Sequence, residues 1–105
     1  MRLNANELNV IRTTLVAADP AGRIYLFGSR ADDKRRGGDI DVFLEASHPI
    51  NAMTALRLEY RIGAACDTKV DLLIKGPEEV DTPIHQVARK GIELIADMCQ
   101  TRSTT

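Results

Sequence analysis

The sequence predicts an α/β fold in the α+β sense, a small mixed β-sheet with helices packed on it. Three observations carry that expectation. Short apolar runs, RIYLF, DIDVFLE and KVDLLI, have the length and β-branched or aromatic content of strands. The stretches before and between them repeat apolar residues at helical spacing. Asp19-Pro20-Ala21-Gly22, His48-Pro49 and Gly76-Pro77 mark the boundaries, because proline and glycine end regular structure.

Taken in order, Asn4 with Glu7 three residues on forms a capping box. Leu3 and Leu8 stand where a hydrophobic staple would, and Leu8, Ile11, Leu15 and Val16 give the first helix its stripe. The first strand, Arg23 to Phe27, ends on Gly28-Ser29. Arg30 to Gly38 is a charged loop, opening with one helical turn. Asp39 to Glu45 is the second strand. Its alternation sets Asp39, Asp41 and Phe43 on one face and Ile40, Val42 and Leu44 on the other. Asn51 caps a second helix whose inward face is read as Met53, Leu56 and Tyr60, extended by Ile62 and Cys66. Lys69 to Ile74 is the third strand. Ile84 to Lys90 is a short helix with Gly91 as its C-cap, and Ile92 to Ile95 fits either a strand or a continued helix.

The chain is expected to be one domain over residues 1–99, with a polar tail from Gln100 to Thr105. Lys and Arg number 14 against 15 Asp and Glu, a net charge of -1, so no global field favours nucleic acid. Cys66 and Cys99 are widely separated and match no metal or redox motif; two reduced thiols are expected. MRLNANELNV lacks the apolar run of a signal peptide and no segment reaches spanning length, so a cytoplasmic location is expected.

Three carboxylates are out of place in apolar strands. Aspartate is a poor strand former and costly to bury unpaired, yet Asp39, Asp41 and Asp71 all occupy such positions. If the two strands are neighbours, the carboxylates converge. Two like charges about 4 Å apart repel by about 4 kcal/mol at an effective dielectric near 20. A divalent cation such as Mg²⁺, held by one or two carboxylates, waters and phosphate oxygens, offsets that repulsion. Gly28-Ser29 supplies a phosphate cradle, since glycine admits close backbone approach and the following N–H groups and hydroxyl can bind anions. Arg30, Lys34, Arg35 and Arg36 follow within reach of a triphosphate; Arg30, abutting Ser29, is the best placed.

FGSR…GGDIDVFLE followed by KVDLLI resembles the minimal nucleotidyltransferase (MNT) branch of the DNA polymerase beta-like nucleotidyltransferase superfamily. The resemblance covers Ile24 to Ile74 by motif. It implies that Gly28 and Ser29 bind nucleotide phosphates and that Asp39 and Asp41 bind two Mg²⁺ ions. Asp71 would complete the metal site and help deprotonate the acceptor. Nine residues separate Ser29 from Asp39 where the common pattern has ten, a change confined to the glycine-rich loop. The resemblance further implies an antitoxin that transfers AMP from ATP to a tyrosine of a HEPN-family toxin. A catalytically silent binding module and a transferase acting on a small molecule are the competing readings. A plain metal-binding or structural domain is the remaining one. His48 is expected on the surface, His85 at a surface or interface, and Tyr25 and Tyr60 in the core.

Overall fold

The computed structural model describes residues 3–31 and 38–95. The loop cations Lys34, Arg35 and Arg36, the thiol of Cys99 and the tail from Gln100 lie outside the described residues. The elements run α1 (Ala5–Ala18), β1 (Arg23–Phe27), a 3-10 turn (Gly28–Ala31), β2 (Ile40–Glu45), α2 (Ala52–Cys66), β3 (Val70–Lys75), α3 (Pro83–Arg89) and β4 (Ile92–Glu93). This is the order the sequence predicts, and the last apolar run resolves as a strand.

The sheet order is β3-β2-β1-β4. β1 pairs antiparallel with β2 and with β4, whereas β2 and β3 are parallel, as a helical crossover through α2 requires. Each strand is sorted by alternation. Ile24, Leu26, Ile40, Val42, Leu44 and Val70 face α1 and α2, where Leu8, Ile11, Leu15, Leu58 and Ile62 complete the main core. Tyr25, Phe43 and Leu73 face the opposite way, against Ala88 of α3.

Both long helices begin as their sequences dictate. The Asn4 side chain accepts from the Glu7 amide at 2.8 Å, and Glu7 Oε1 accepts from the Asn4 amide at 3.0 Å. Asn51 accepts from the Thr54 amide at 2.8 Å. The inward face of α2 differs from expectation. Leu58 and Ile62 are buried, while Met53, Leu56 and Tyr60 are 58%, 60% and 79% exposed. Of the face expected to turn inward only Ile62 is buried, and Leu58, which that reading passes over, joins it; the crossover sets which side of α2 meets the core.

α3 carries two further corrections. His85 is buried rather than superficial: its Nδ1 accepts from the Thr82 amide at 3.1 Å and its ring stacks on Phe43 with centroids 5.6 Å apart. Lys90, not Gly91, is the C-cap. Gly91 is required for a different reason, since a Cβ there would run into the Leu26 carbonyl and force β4 off β1. Arg89 fastens α3 to the sheet, its Nη2 lying 2.9 Å from Glu45 and 2.8 Å from Asp81, with the guanidinium 5.8 Å from the Phe43 centroid. Among the described residues no helix is long and apolar enough to cross a membrane.

Asp19 ties the α1–β1 turn to the β2–α2 loop. Its buried carboxylate accepts from the Ser47 amide at 2.7 Å and from the Ser47 hydroxyl. Burial pushes its pKa up, but these hydrogen bonds and nearby His48 outweigh that, leaving it below the ordinary value. The folded-state value is thus below the unfolded one. The stabilisation is present at neutral pH and disappears as pH falls through the folded value, below about pH 4. Asp19→Ala is expected to cost about 1–3 kcal/mol in urea unfolding at pH 7, and progressively less as the pH is lowered below about 4.

Candidate active site

β2 and β3 are the strands that matter for chemistry, because their parallel register sets Asp41 directly opposite Asp71. Neighbouring strands lie about 4.8 Å apart, and paired residues share a face. Phe27 of β1 is opposite Asp41 on its other side, so the row across three strands reads Phe27, Asp41, Asp71. The row sits where β1 ends and β2 and β3 begin, on the α3 face of the sheet. Asp41 is half-buried and Asp71 exposed.

Burial and the adjoining Asp71 and Asp39 carboxylates raise the Asp41 pKa, only partly countered by Lys69. An anion held at such a position favours a compensating cation. Asp39 stands differently from expectation. It precedes β2 instead of lying in it, is exposed, and its carboxylate is 3.8 Å from Lys69 Nζ. Asp41 and Asp71 thus face each other in register, while Asp39, two residues upstream, lies near enough to act on Asp41 but beside Lys69. Among the described residues no group of three His, Cys, Asp or Glu side chains is disposed to hold a metal ion. Asp41 and Asp71 still form a hard-oxygen pair suited to Mg²⁺, which takes few protein ligands and completes its shell with water and phosphate.

Gly28 closes the site from β1. Its φ is +74°, and a Cβ would collide with the Asp41 carboxylate. Both constraints demand glycine, and both bring the backbone of the Gly28–Ala31 turn against Asp41. Ser29 lies in that turn; its hydroxyl is outside the described atoms. Arg30 points elsewhere than at this row. Its Nη1 is 3.2 Å from Glu7 Oε1 and its Nε donates to the Gly38 carbonyl at 3.2 Å, leaving the side chain 14% exposed. It thereby joins α1 to both ends of the loop between the turn and β2. Nothing in single-sequence periodicity marks the Glu7–Arg30 pair, which spans 23 positions.

A family model described as "Polymerase beta, Nucleotidyltransferase" matches residues 9–98. The chain belongs to that nucleotidyltransferase family. No curated protein sequence matches it. Among solved structures it is similar to a mutant MntA–HpeT toxin–antitoxin complex, with TM-score 0.72 and 24% identity over 96% of this chain and 80% of that one. It is also similar to a toxin–antitoxin structure with AMP-PNP, with TM-score 0.71 and 24% identity, covering 91% and 78% of the two chains. A third is tri-AMPylated Shewanella oneidensis HEPN toxin in complex with MNT antitoxin, at TM-score 0.67 and 24% identity, covering 92% and 76%. The four-stranded mixed sheet is the polymerase beta-like nucleotidyltransferase fold.

Two substitutions separate the duties of this site. Gly28→Ala should lower stability by at least about 1–2 kcal/mol from the positive φ alone, as read by thermal unfolding. Asp71→Asn, which removes the charge facing Asp41, should raise the melting temperature by a few degrees at pH 7 with chelator present, through relief of like-charge repulsion. No change or a fall would contradict the repulsion.

Proposed function

We propose that this nucleotidyltransferase transfers a nucleoside monophosphate, AMP from ATP, to a hydroxyl of a partner protein. In this reading the acceptor is a tyrosine of a HEPN-type toxin and the chain acts as its antitoxin. The observation that carries the proposal is the Asp41–Asp71 pair in register beneath the Gly28 backbone. Its support comes from the family and from the similarity to a toxin–antitoxin structure with AMP-PNP and to a tri-AMPylated HEPN toxin in complex with MNT antitoxin.

Asp41 and Asp71 would hold Mg²⁺, two ions in the fullest form. Asp39 would join them, since an exposed pair such as Asp39–Lys69 contributes little and leaves its carboxylate uncommitted. The metal, when bound, neutralises phosphate charge and acidifies the acceptor hydroxyl. The remaining work falls to the chain. The Gly28–Ser29 backbone receives the phosphates, and Arg30 fixes the loop base, with a phosphate contact of its own as part of the proposal. Asp71 accepts the hydroxyl proton as the acceptor oxygen attacks the α-phosphorus. The bond from that phosphorus to the bridging oxygen breaks, and pyrophosphate leaves in line. Positioning and electrostatics supply nearly all the catalysis, which suits so small a frame.

The contact of the Asp39 carboxylate with Lys69 favours one second reading, a silent module that binds a partner without turnover. Transfer of label from α-³²P-ATP to the purified partner separates the two. Asp41→Asn and Asp71→Asn should each cut transfer by about a hundredfold or more while unfolding stays cooperative. Wild-type transfer by either variant would refute the mechanism, and absence of transfer by the wild type with bound partner would favour the silent module.

A further inference from the structure

α2 is apolar on two faces, and the protein's own core covers only one. Opposite Leu58 and Ile62, the residues Met53, Leu56 and Tyr60 recur at helical spacing and stand open to solvent. Between Leu56, Tyr60, Ala64 and Ala65 lies a shallow groove of about 680 Å³, flanked by Arg57 and Arg61. An apolar stripe of this extent on a small domain marks a contact surface. We infer that this face of α2 docks an apolar helix of a partner protein whose flanking residues are acidic, and that the docked partner is the acceptor of transfer.

Charge selects the occupant. Arg57 and Arg61 are four residues apart, on one side of the groove, and neither has an ion-pair partner among the described residues. A second copy of this chain docked through the same face about a two-fold axis would bring like guanidinium groups together at the centre. A heterologous helix carrying Glu or Asp beside its apolar stripe meets both the groove and the charges.

Continuity with the carboxylates identifies the docked partner with the acceptor, which rests on the function proposed above. The groove runs on from Leu56, Tyr60 and Ala64 to Thr68, Lys69 and Val70. Lys69 faces Asp39, and Val70 immediately precedes Asp71. Among the described residues β3 is also the outer strand of the sheet, so a partner seated on α2 reaches the Asp41–Asp71 row around an edge on which none of them places a further strand. Glu59 accepts from the Leu72 amide at 2.7 Å on that edge, which discourages strand addition and leaves the helix face as the landing surface.

The test uses ¹⁵N-labelled full chain and two designed 18-residue helical peptides sharing one Leu/Ala stripe, flanked by Glu in one and Lys in the other. The Glu peptide should shift amides of residues 53–65 and bind about tenfold more tightly than the Lys peptide. The double variant R57E/R61E, checked for intact fold by its unperturbed core amides, should reverse that preference. Equal binding of the two peptides, shifts confined to another surface, or no shifts at all would overturn the inference. So would concentration-dependent shifts of the same amides without peptide, which assign the face to a second copy. Binding is read without nucleotide, so docking can fail while transfer to the partner stands, and the reverse.

Discussion

The parallel register between β2 and β3 is the constraint on which the rest of this molecule depends. Because Ile40 pairs with Val70, Asp41 must pair with Asp71, and every second residue on each strand is committed to one face. A slip of one residue would turn Asp71 into the main core and Val70 out of it. The apolar set Ile40, Val42, Leu44 and Val70, buried against α1 and α2, forbids that slip. The hydrophobic core thus holds two like charges side by side, at an energetic cost borne by packing on the other side of the sheet.

The other features of the site follow from holding that pair in place. Gly28 is the only residue type that can adopt a positive φ and yield its Cβ volume to Asp41. The Glu7–Arg30 pair, with Arg30 also on the Gly38 carbonyl, ties the Gly28–Ala31 turn and Gly38 to the first turn of α1. On the same face, Phe43 stacks with Tyr25 and His85 while Arg89 lies over it, so the sheet beyond the carboxylates is sealed by α3. Among the described residues, α3 leaves uncovered the end of that face carrying Asp41 and Asp71.

Much of this was legible in the sequence, for reasons that are local. Asn4 and Asn51 announce their helices because a cap acts over three residues. Alternation in DIDVFLE sorts Asp41 and Phe43 from Ile40 and Val42 because a strand has period two. The illegible parts are long-range. In the sequence of α2, Met53, Leu56 and Tyr60 read as one inward face with Ile62, and Leu58 is passed over. In the fold Leu58 and Ile62 face the core and the other three do not, since only the packing partner decides which face turns inward. His85 reads as a surface histidine until Phe43 is placed beneath it. Adjacency to Ser29 singles out Arg30, but its ion pair with Glu7, 23 positions earlier, has no signal in the sequence. Asp39 looks like a strand residue, but the ladder begins one residue later and leaves its carboxylate to Lys69.

The central claim is that Asp41 and Asp71 act as one site for metal-bound nucleotide. A double-mutant cycle in Mg²⁺-ATP binding, measured by calorimetry on the wild type, Asp41→Asn, Asp71→Asn and the double variant, addresses it directly. A shared site predicts that each single substitution removes nearly all the metal-dependent affinity and that the double variant loses little more. Strictly additive losses, or a double variant that still binds Mg²⁺-ATP as the wild type does, would contradict it.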